Sequence, residues 1–543
     1  MASRKRRAAA ASTSPDWVLR LPWLAALTAF VVFLPALGNG FVNWDDDRNF
    51  LDNPFFRGLA PENLRWAFST FLLGHYHPLT WLSLEADYAV WGLDSVGYHL
   101  TSALLHAAAT FFVCLLFGEL IRRARGEAAA SPATLWGAFV GALLFALHPL
   151  RVESVAWASE RRDVLSGLFY ALTLWLYVRG RLAASLAAFT AALLSKVIVV
   201  TLPVVLLILD VYPLRRPLSL RVALEKAPYF GLALLFGLIG VGRYEAGVSG
   251  VAANLDLYPG LRLALSVWGL AFYAFKTVVP FGLYPMVVPT ADPQPTDALF
   301  LASGALVVGV TAAALWLWRG GRPALAAAWA AYGVTLLPVL SILRLDRQQS
   351  VADHHSYLAT LGLAALAGGL WSFWSDRARR PAAATAAAAL VLLAALTIRQ
   401  IGFWADSETL WRRTAEAFPE AIVAHNNLGR ALAEQGRADD AIASFERAVA
   451  VDPRYAHAQY NLGSMLMQSG RLAEAEAAFR AGLDRQPRFA QGWSDLGNCL
   501  LRQRRVEEAI QAYDRALEVD PNHADARHNR NLAMQLLSAE GRP

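Results

Sequence analysis

Acidic residues in two segments are the groups of this 543-residue sequence best suited to chemistry. Asp45, Asp46 and Asp47 stand side by side directly after an apolar run, and Glu153 lies in a second polar segment, 148–163, between two further apolar runs. Adjacent carboxylates repel one another and are costly to desolvate unless a cation or a proton shares them. We expect Asp45, Asp46 and Glu153 to be catalytic groups that deprotonate or orient an acceptor hydroxyl. A solvated acidic turn that caps a helix is the alternative for the aspartates.

Cationic side chains accompany these acids. Arg161 and Arg162 close the second polar segment, Lys196 stands between two apolar runs, and His354 precedes a later one. Arginine and lysine hold phosphate through charge-assisted hydrogen bonds, and cations stabilise a departing phosphate. These four residues are the predicted binding site for the phosphate of a donor. A mutually neutralising interfacial network, with Lys196 snorkelling, is the other interpretation, and a metal at the pair formed by His354 and His355 lacks a clear third ligand.

Aromatic and imidazole groups form a third set. His77 and Trp81 belong to the run His-Tyr-His-Pro-Leu-Thr-Trp at 75–81, which suits a bilayer surface or the face of a sugar ring. His148 opens the second polar segment, and Tyr357 follows the histidine pair. We predict that His77, Trp81, His148 and Tyr357 contact the substrate.

Long apolar runs must position these residues, because 56% of the chain is hydrophobic and 17% is charged, against roughly 25% charged in an average protein. This composition excludes a disordered chain, and two cysteines exclude a disulfide framework. A spanning helix needs roughly 20 mostly apolar residues. The sequence predicts an all-α, polytopic membrane bundle over residues 1–400, with a long first outer loop at 38–95. Its eleven spans are predicted at 21–37, 98–120, 135–147, 164–178, 182–194, 197–212, 229–241, 299–318, 324–343, 357–374 and 382–398.

The distribution of charge predicts how this bundle is oriented. Basic clusters at 4–7, 122–125, 179–181, 215–226, 319–322 and 377–380 all fall in the cytoplasm for eleven spans with a cytoplasmic N-terminus. The model requires that 261–279, which contains Trp268 and Tyr273, lies at the outer interface or re-enters. The region after residue 400 is then extracytoplasmic. The net charge of +6 therefore indicates orientation and does not indicate nucleic-acid binding. A cleaved signal peptide at the first run is the weaker alternative.

The tail of the chain is periodic. Pro419, Pro453, Pro487 and Pro521 are 34 residues apart, and glycine, alanine and aromatic columns keep the same period. A 34-residue period with these columns is typical of tetratricopeptide repeats, an α-solenoid with a concave surface. We predict a linking helix at 401–421, three repeats at 422–523 and a capping helix with a tail at 524–543. Asparagines recur on the first helices, where they can bond an extended peptide or only solvate the concave face: Asn426, Asn427, Asn461 and Asn498.

Several motifs occur in a fixed order along the chain. They are Phe-Val-Asn-Trp-Asp-Asp-Asp at 41–47, His-Pro-Leu-Thr-Trp at 77–81, His-Pro-Leu-Arg-Val-Glu-Ser-Val-Ala-Trp at 148–157, Glu-Arg-Arg-Asp-Val-Leu-Ser at 160–166, Ser-Lys at 195–196 and Thr-Leu-Pro at 201–203. This ordered set resembles the motifs of the transmembrane and tetratricopeptide-repeat O-mannosyltransferases of eukaryotes. The resemblance covers nearly the whole chain, and the ordered set is specific although each motif alone is not.

The resemblance implies a bacterial inner-membrane glycosyltransferase of the GT-C superfamily. Such enzymes transfer a sugar with inversion from a polyprenyl-phosphate donor on the non-cytoplasmic side, here to a protein acceptor that the repeats select or present. It places the catalytic or metal-associated acidic pair at Asp45 and Asp46 and a further acidic residue at Glu153. A divalent metal at Asp45 and Asp46 is the only cofactor that it suggests. The chain departs from the family at His354, where arginine is expected, and at Ala359, where proline is expected.

Two other functions compete with this interpretation. A non-catalytic membrane scaffold would use the repeats to assemble envelope proteins. A transporter of lipid-linked sugars would need ionisable residues in the middle of the membrane, and most of these are missing from the sequence.

Overall fold

The computed structural model describes residues 20–217, 219–247, 258–287, 293–342 and 351–540, so the basic cluster 4–7 lies outside the described residues. The regular elements of these residues are all helical, which confirms the predicted all-α class. The chain divides into two compact units. The first contains Met1–Phe41 and Asp45–Ala405, and the second contains Val42–Trp44 and Asp406–Pro543.

The first unit is a bundle whose helices we number in chain order. Their bounds are α1 Leu21–Phe33, α2 Pro61–Ser69, α3 Pro78–Trp91, α4 Ser95–Ala124, α5 Pro132–Ala146, α6 Val152–Ala156, α7 Arg161–Val178, α8 Leu182–Ser195, α9 Leu202–Val211, α10 Leu220–Leu224, α11 Ala227–Gly247, α12 Pro259–Val278, α13 Ala298–Arg319, α14 Ala324–Leu336, α15 Ser356–Ala359, α16 Leu361–Ser375 and α17 Arg379–Ile401.

Many of these helices are suited to a bilayer. Within the described ranges, six helical segments are long and apolar enough to cross a membrane, or up to eight if each bent pair is one span. Shorter apolar helices follow at 182–195, 197–211 and 324–339. Large apolar side chains such as Val308 and Trp316 on α13 are 68% and 73% exposed, as expected for a surface that faces lipid. The six segments are Leu21–Gly38, Ser95–Ala124, Leu220–Gly240, Pro259–Val278, Ala298–Arg319 and Arg379–Trp404.

Residues 261–279, predicted to be interfacial or re-entrant, also qualify as a span by length and hydropathy. They lie in α12, one unbroken helix of 20 residues that meets the length and hydropathy requirements of a span. Trp268 and Tyr273, which suggested an interface, are instead buried in an apolar cluster with Tyr332 and Leu336 of α14. A crossing at α12 would reverse the side of every later segment. The side of the membrane that holds the repeats therefore stays a prediction.

Small residues bring two helices together just before the second polar segment. A Cβ on Gly137 of α5 would stand 2.6 Å from the carbonyl oxygen of Gly368 on α16. A Cβ on Gly141 would stand 2.9 Å from the carbonyl oxygen of Ala364. Glycine at such contacts lets helix backbones pack closely, which is a main source of helix association in membranes. This seam fixes α5, from which the chain runs directly into residues 148–163.

The second unit is a solenoid of paired helices. In each pair a glycine of the first helix contacts an aromatic ring of the second, as Gly463 contacts Phe479. The final helix, α25, packs on the last pair and closes the array. This arrangement confirms the predicted tetratricopeptide repeats after a membrane bundle. The helices are α18 Ser407–Ala417, α19 Ile422–Glu434, α20 Ala438–Val451, α21 Ala456–Gln468, α22 Leu472–Arg485, α23 Ala490–Arg502, α24 Val506–Val519 and α25 Ala524–Glu540.

The glycine seam gives a stability prediction. We expect Gly137→Val to lower the free energy of unfolding by about 1–3 kcal/mol, because the added side chain collides with the backbone of α16 and overpacking has this cost. Thermal unfolding of the detergent-purified protein measures the change. Gly309→Val is the matched control, since the space within 4 Å of its added Cβ is open. Equal losses in the two variants would contradict the proposed seam.

Candidate functional site

The second polar segment turns the chain between α5 and α7. Pro149 begins its first helical turn, where the fixed φ of proline is favourable, and Trp157, at φ −94° and ψ 118°, interrupts the helical path before Glu160. Because the path is broken there, Glu153 and Glu160 both reach the ring of His354. The short turns are Pro149–Arg151, Val152–Ala156 and Ala158–Glu160.

Glu160 is the centre of the site. Its side chain is fully buried, and both of its oxygens meet cations. Arg162 donates to Oε1 from Nε at 3.0 Å and from Nη2, and Lys196 Nζ donates to Oε2 at 2.9 Å. Lys196 also donates to Asp163 Oδ1 at 2.6 Å. Burial alone would raise the pKa of Glu160, but Arg162, Lys196 and His354 together lower that pKa well below its ordinary value. Glu160 is therefore a permanent anion that holds two cations in place.

Asp45 is the available carboxylate of the acidic triplet. Among the described residues its side chain has no hydrogen-bond partner, and it is only partly buried. Burial raises the pKa of Asp45 to about 6; the charge of Arg162 opposes this rise and that of Glu160 adds to it. Asp45 is therefore within the electrostatic influence of the ion pair of Arg162 and Glu160. A carboxylate with a pKa near 6 is ionised at neutral pH and is still basic enough to accept a proton.

Asp46 has a different environment from Asp45. It is buried, and its Oδ1 accepts hydrogen bonds from the backbone N–H of Ser159 at 3.0 Å and from Ser159 Oγ at 2.5 Å. Asn49 Nδ2 donates to the same Ser159 oxygen at 2.9 Å. Asp46 thus ties the first outer loop to the second polar segment. Asp45 is the chain neighbour of this tie.

Glu153 and His354 form a second pair. Glu153 is buried; its Oε2 accepts from the backbone N–H of His354 at 3.1 Å, and its Oε1 lies 2.9 Å from His354 Nδ1. The carboxylate thus fixes both the backbone and the ring of His354. The other ring nitrogen, Nε2, lies 3.8 Å from Glu160 Oε1. Histidine here takes the place of the arginine that the family resemblance leads one to expect.

His77 and Trp81 form a stacked pair of rings near the charged groups of Arg162, Glu160 and Lys196. Their rings stack with centroids 5.3 Å apart and an interplanar angle of 26°. Burial and the nearby Arg162 lower the pKa of His77 to about 3, so the imidazole is neutral and can accept or donate one hydrogen bond. Trp81 lies deeper, in an apolar cluster with Phe56 and Leu84. We conclude that His77 is close to the charged groups and that Trp81 supports it.

Arg161 does not join the cluster. Its guanidinium is fully buried and its donors are used within the bundle. The bonds tie α7 to α3 and α4, which gives this arginine a structural position. Its acceptors are Ser102 Oγ at 2.9 Å, Ser83 Oγ at 2.9 Å, Asp87 Oδ2 at 2.6 Å and the carbonyl oxygen of Tyr98 at 2.6 Å.

The printed side-chain bonds of His148 and Tyr357 go to groups other than the acids of the cluster. His148 Nε2 is 3.2 Å from the carbonyl oxygen of Thr277, and the hydroxyl of Tyr357 is 2.7 Å from His106 Nδ1. His148 and Arg151 line one side of a cavity of about 310 Å³. The other walls are largely apolar and come from α5, α16 and α17. They include Leu144, Leu363, Ala367, Leu392, Leu393 and Leu396.

Sequence reasoning did not select the two acids that organise the cations. Glu160 and Asp163 stand beside the arginines in the second polar segment, three residues apart, and Lys196 contacts both. A spacing of three places two side chains on one face of a helix. That spacing, together with a lysine between two apolar runs, could have identified Glu160 and Asp163 as partners of the cations.

The donor set at Asp45 and Asp46 does not fit a divalent metal. Within the described ranges no group of three or more His, Cys, Asp or Glu side chains is arranged to hold a metal ion. Asp46 is engaged by Ser159, and Asp45 faces the guanidinium of Arg162, which would repel a second cation. Arginine and lysine at this place fit an anionic phosphate.

The chain is similar to known proteins in both units. Residues 392–449, 426–487 and 460–524 match the model of the tetratricopeptide repeat family. A protein O-mannosyl-transferase of Drosophila melanogaster is 33% identical over 190 residues, which are 32% of this chain and 20% of that protein. A protein O-mannosyl-transferase of Caenorhabditis elegans is 24% identical over 458 residues, which are 79% of this chain and 62% of that protein. These names confirm the resemblance drawn from the motifs.

The matches differ in extent. This chain spans about a fifth of the length of the Drosophila relative and less than two thirds of the nematode one. Among solved structures, the crystal structure of MamA is similar at 23% identity and a TM-score of 0.24, over 24% of this chain and 77% of that one.

The environment of Asp45 predicts a pH-dependent stability difference. Because its pKa is raised in the folded state, Asp45 stabilises the fold below about pH 4 and loses this contribution as the pH rises through 6. Asp45→Asn should therefore increase the free energy of unfolding by about 1–3 kcal/mol at pH 7.5 and by much less at pH 4. Thermal unfolding at the two pH values measures this. Asp52→Asn, at an exposed position of the same loop, should leave the free energy of unfolding unchanged at both pH values. An equal gain at pH 4 and pH 7.5 for Asp45→Asn would contradict the raised pKa of Asp45.

Proposed function

We propose that this chain is a membrane glycosyltransferase that moves a sugar from a polyprenyl-phosphate donor to a hydroxyl of a protein acceptor. The observation that carries the proposal is that Asp45, whose carboxylate has no hydrogen-bond partner among the described residues, is influenced by the charges of the buried ion pair of Arg162 and Glu160. A base beside fixed cations is what transfer from a sugar phosphate requires. The names of the relatives support the same class of reaction and point to mannose as the sugar.

The reaction follows from the two kinds of group. Asp45 takes the proton of the acceptor hydroxyl while the hydroxyl oxygen attacks the anomeric carbon of the sugar. The bond from that carbon to the phosphate oxygen breaks, its electron pair stays on the polyprenyl phosphate, and the anomeric configuration inverts. Arg162 and Lys196 neutralise the leaving phosphate with N–H groups that Glu160 and Asp163 leave unused. Since Asp45 must be ionised, the rate rises with pH up to about 6.

The pair of Glu153 and His354 completes the phosphate site. Glu153 holds Nδ1 of the ring, so Nε2 is left to face Glu160 and a bound phosphate. A histidine that is anchored in this way keeps its orientation. In this role its Nε2 contributes a hydrogen bond where the family resemblance leads one to expect arginine. Glu153 acts through His354 and does not itself accept the proton.

The cavity of about 310 Å³ is suited to the first part of the donor lipid. Its apolar walls match a prenyl chain, and Arg151 and His148 give it one polar side. Lipid-binding cavities generally combine apolar walls with a few placed polar groups.

The repeat array binds the protein acceptor, on the extracytoplasmic side. Asn461 Nδ2 donates to Asn426 Oδ1 at 2.8 Å, and Asn529 Nδ2 donates to Asn498 Oδ1 at 2.9 Å. These bonds fix the asparagines and leave Asn461 Oδ1 and Asn498 Nδ2 without partners in the described chain. One acceptor and one donor, held in place on successive first helices, can bond an extended peptide backbone.

Loss of the base tests the reaction. Asp45→Asn should reduce protein-linked sugar by a factor of about 100 or more, since removal of a general base costs 10²–10⁴ in rate. Mass spectrometry of envelope glycoproteins from cells that express each variant measures this, with membrane insertion checked by immunoblot. Asp52→Asn is the matched control, because it makes the same change at an exposed position of the same loop. Unchanged glycosylation in Asp45→Asn would exclude the proposed site.

The array is tested by the kinetics of the acceptor. The double variant Asn461→Ala and Asn498→Ala should raise the KM for the acceptor protein about tenfold. The reason is that two hydrogen bonds to the acceptor backbone are lost, each worth about 0.5–1.5 kcal/mol. The KM for the donor should stay the same, because the donor binds in the other unit. Asn522→Ala, at an exposed turn between repeats, is the control. A parallel rise in both KM values would contradict separate sites.

A further inference from the structure

A groove opens on the surface of the first unit between α8 and α11. Each helix lines it with four residues at the spacing i, i+3, i+4, i+7, which is one face of a helix. The volume of the groove is about 650 Å³. Its lining residues are Ala183, Leu186, Ala187 and Thr190 of α8 and Pro228, Gly231, Leu232 and Leu235 of α11.

The walls of this groove are apolar. The hydroxyl of Thr190 donates to the carbonyl oxygen of Leu186 at 3.0 Å, within α8 itself. On the other wall, Leu235 is 52% exposed. It belongs to the segment Leu220–Gly240, which is long and apolar enough to cross a membrane. The groove therefore lies on a surface suited to hydrocarbon, and an apolar chain can fill it without loss of a hydrogen bond.

Two buried rings join α8 to α11 and make the groove a fixed feature. The hydroxyl of Tyr229 on α11 donates to the carbonyl oxygen of Leu182, the first residue of α8, at 3.3 Å. The centroid of the Tyr229 ring lies 5.7 Å from that of Phe189 on α8. Both side chains are almost completely buried. The two helices are thus held together where the groove begins.

The end of the groove at the start of both helices is strongly basic. Residues 179–181 precede α8, and residues 210–226 lead from the end of α9 to the start of α11. Together these two segments contain six cationic and two acidic side chains. Both acids, Asp210 and Glu225, already pair with Arg216. An excess of positive charge remains at this end.

Arg179 and Arg181 are available to a ligand at the basic end. Both are exposed, and within the ranges that the structure describes neither guanidinium has a hydrogen bond or an ion pair. Arg181 stands two residues before Ala183, where the groove wall starts. The Cζ of Arg179 lies 5.9 Å from the ring centroid of Trp175. Because tryptophan and arginine are typical of the membrane boundary, these cations are placed at the level of lipid headgroups.

We propose that this groove binds an anionic glycerophospholipid, with one acyl chain between α8 and α11 and the headgroup phosphate at Arg179 and Arg181. The lining residues extend over 183–190 and 228–235, about 10 Å at 1.5 Å per residue. That length fits within one leaflet of a hydrocarbon core roughly 30 Å thick. Basic pockets between membrane helices bind anionic headgroups for the same electrostatic reason.

The proposed lipid site is independent of the proposed sugar transfer. It uses none of the side chains assigned to the base or to the donor phosphate. It does involve α8, which ends at Ser195 directly before Lys196. A lipid bound at the start of this helix stabilises the native fold by mass action, so its binding has a readout in thermal unfolding as well as in direct titration.

The test measures lipid binding to the full chain in detergent. Native mass spectrometry follows the first bound molecule during titration with phosphatidylglycerol, and with zwitterionic phosphatidylcholine as the comparison. The variant Arg179→Gln with Arg181→Gln removes the headgroup site. Its matched control is Arg319→Gln with Arg322→Gln, an exposed pair at the end of α13, which packs against α12 and α14.

A second variant blocks the apolar part of the site. Gly231→Phe places a ring in the groove, and an added Cβ at Gly231 meets nothing within 4 Å, so the backbone need not move. Gly309→Phe is the matched control, because it makes the same change at an exposed glycine of α13 whose added Cβ also has open space.

We expect the wild type to bind phosphatidylglycerol at least tenfold more tightly than phosphatidylcholine. The variant without Arg179 and Arg181 should bind phosphatidylglycerol about 10- to 30-fold more weakly, since each basic residue at the surface attracts the anionic headgroup. Gly231→Phe should lose both this binding and the rise in Tm that phosphatidylglycerol gives the wild type. Both controls should match the wild type. Equal affinity of the wild type for the two lipids, or unchanged binding in Gly231→Phe, would overturn the proposal.

The same spectra identify other occupants of the groove. A dimer that Gly231→Phe converts to monomers would assign the groove to a second copy of the chain. Displacement of phosphatidylglycerol by an equal amount of a polyprenyl phosphate would assign it to a prenyl lipid. Either result would overturn the phospholipid site, whether or not the protein transfers a sugar.

Discussion

A buried carboxylate that must be paired organises the first unit. Glu160 has no contact with water, and an unpaired charge in such a position costs several kcal/mol. Arg162 at the start of α7 and Lys196 just after α8 meet this requirement. Two separate parts of the chain are thereby fixed around one anion. The electrostatic environment of Asp45 and of the His354 ring depends on this pairing, and so does the proposed binding of a phosphate.

The fold was largely predictable because its packing contacts require particular residue types at regular spacings in the sequence. The 34-residue period of the repeats records the same contact three times, a glycine against a ring, as at Gly463 and Phe479. Apolar runs likewise recorded most of the membrane helices. Sequence could not distinguish a crossing at 261–279 from an interfacial segment, because Trp268 and Tyr273 have the same appearance in sequence whether they face the membrane interface or an apolar core.

The site was predictable in part. The acids and cations came from polar segments that interrupt apolar runs, and five of them do lie together: Asp45, Glu153, Arg162, Lys196 and His354. Sequence could not distinguish Arg161 from Arg162, because adjacent residues at a helix start point about 100° apart and the direction depends on how α7 is rotated. Nor could it show that Ser159 engages Asp46 and leaves Asp45 available, since that depends on a contact between residues 113 positions apart.

The two adjacent arginines show how such a protein can change its specificity. Arg161 is committed to α3 and α4, so its replacement would damage the scaffold. Among the described residues, the printed hydrogen bonds of Arg162 all go to Glu160. If Arg162 binds the leaving phosphate as proposed, architecture and ligand preference are assigned to two adjacent residues. Selection for a new leaving group could then alter Arg162 while Arg161 preserves the helical framework.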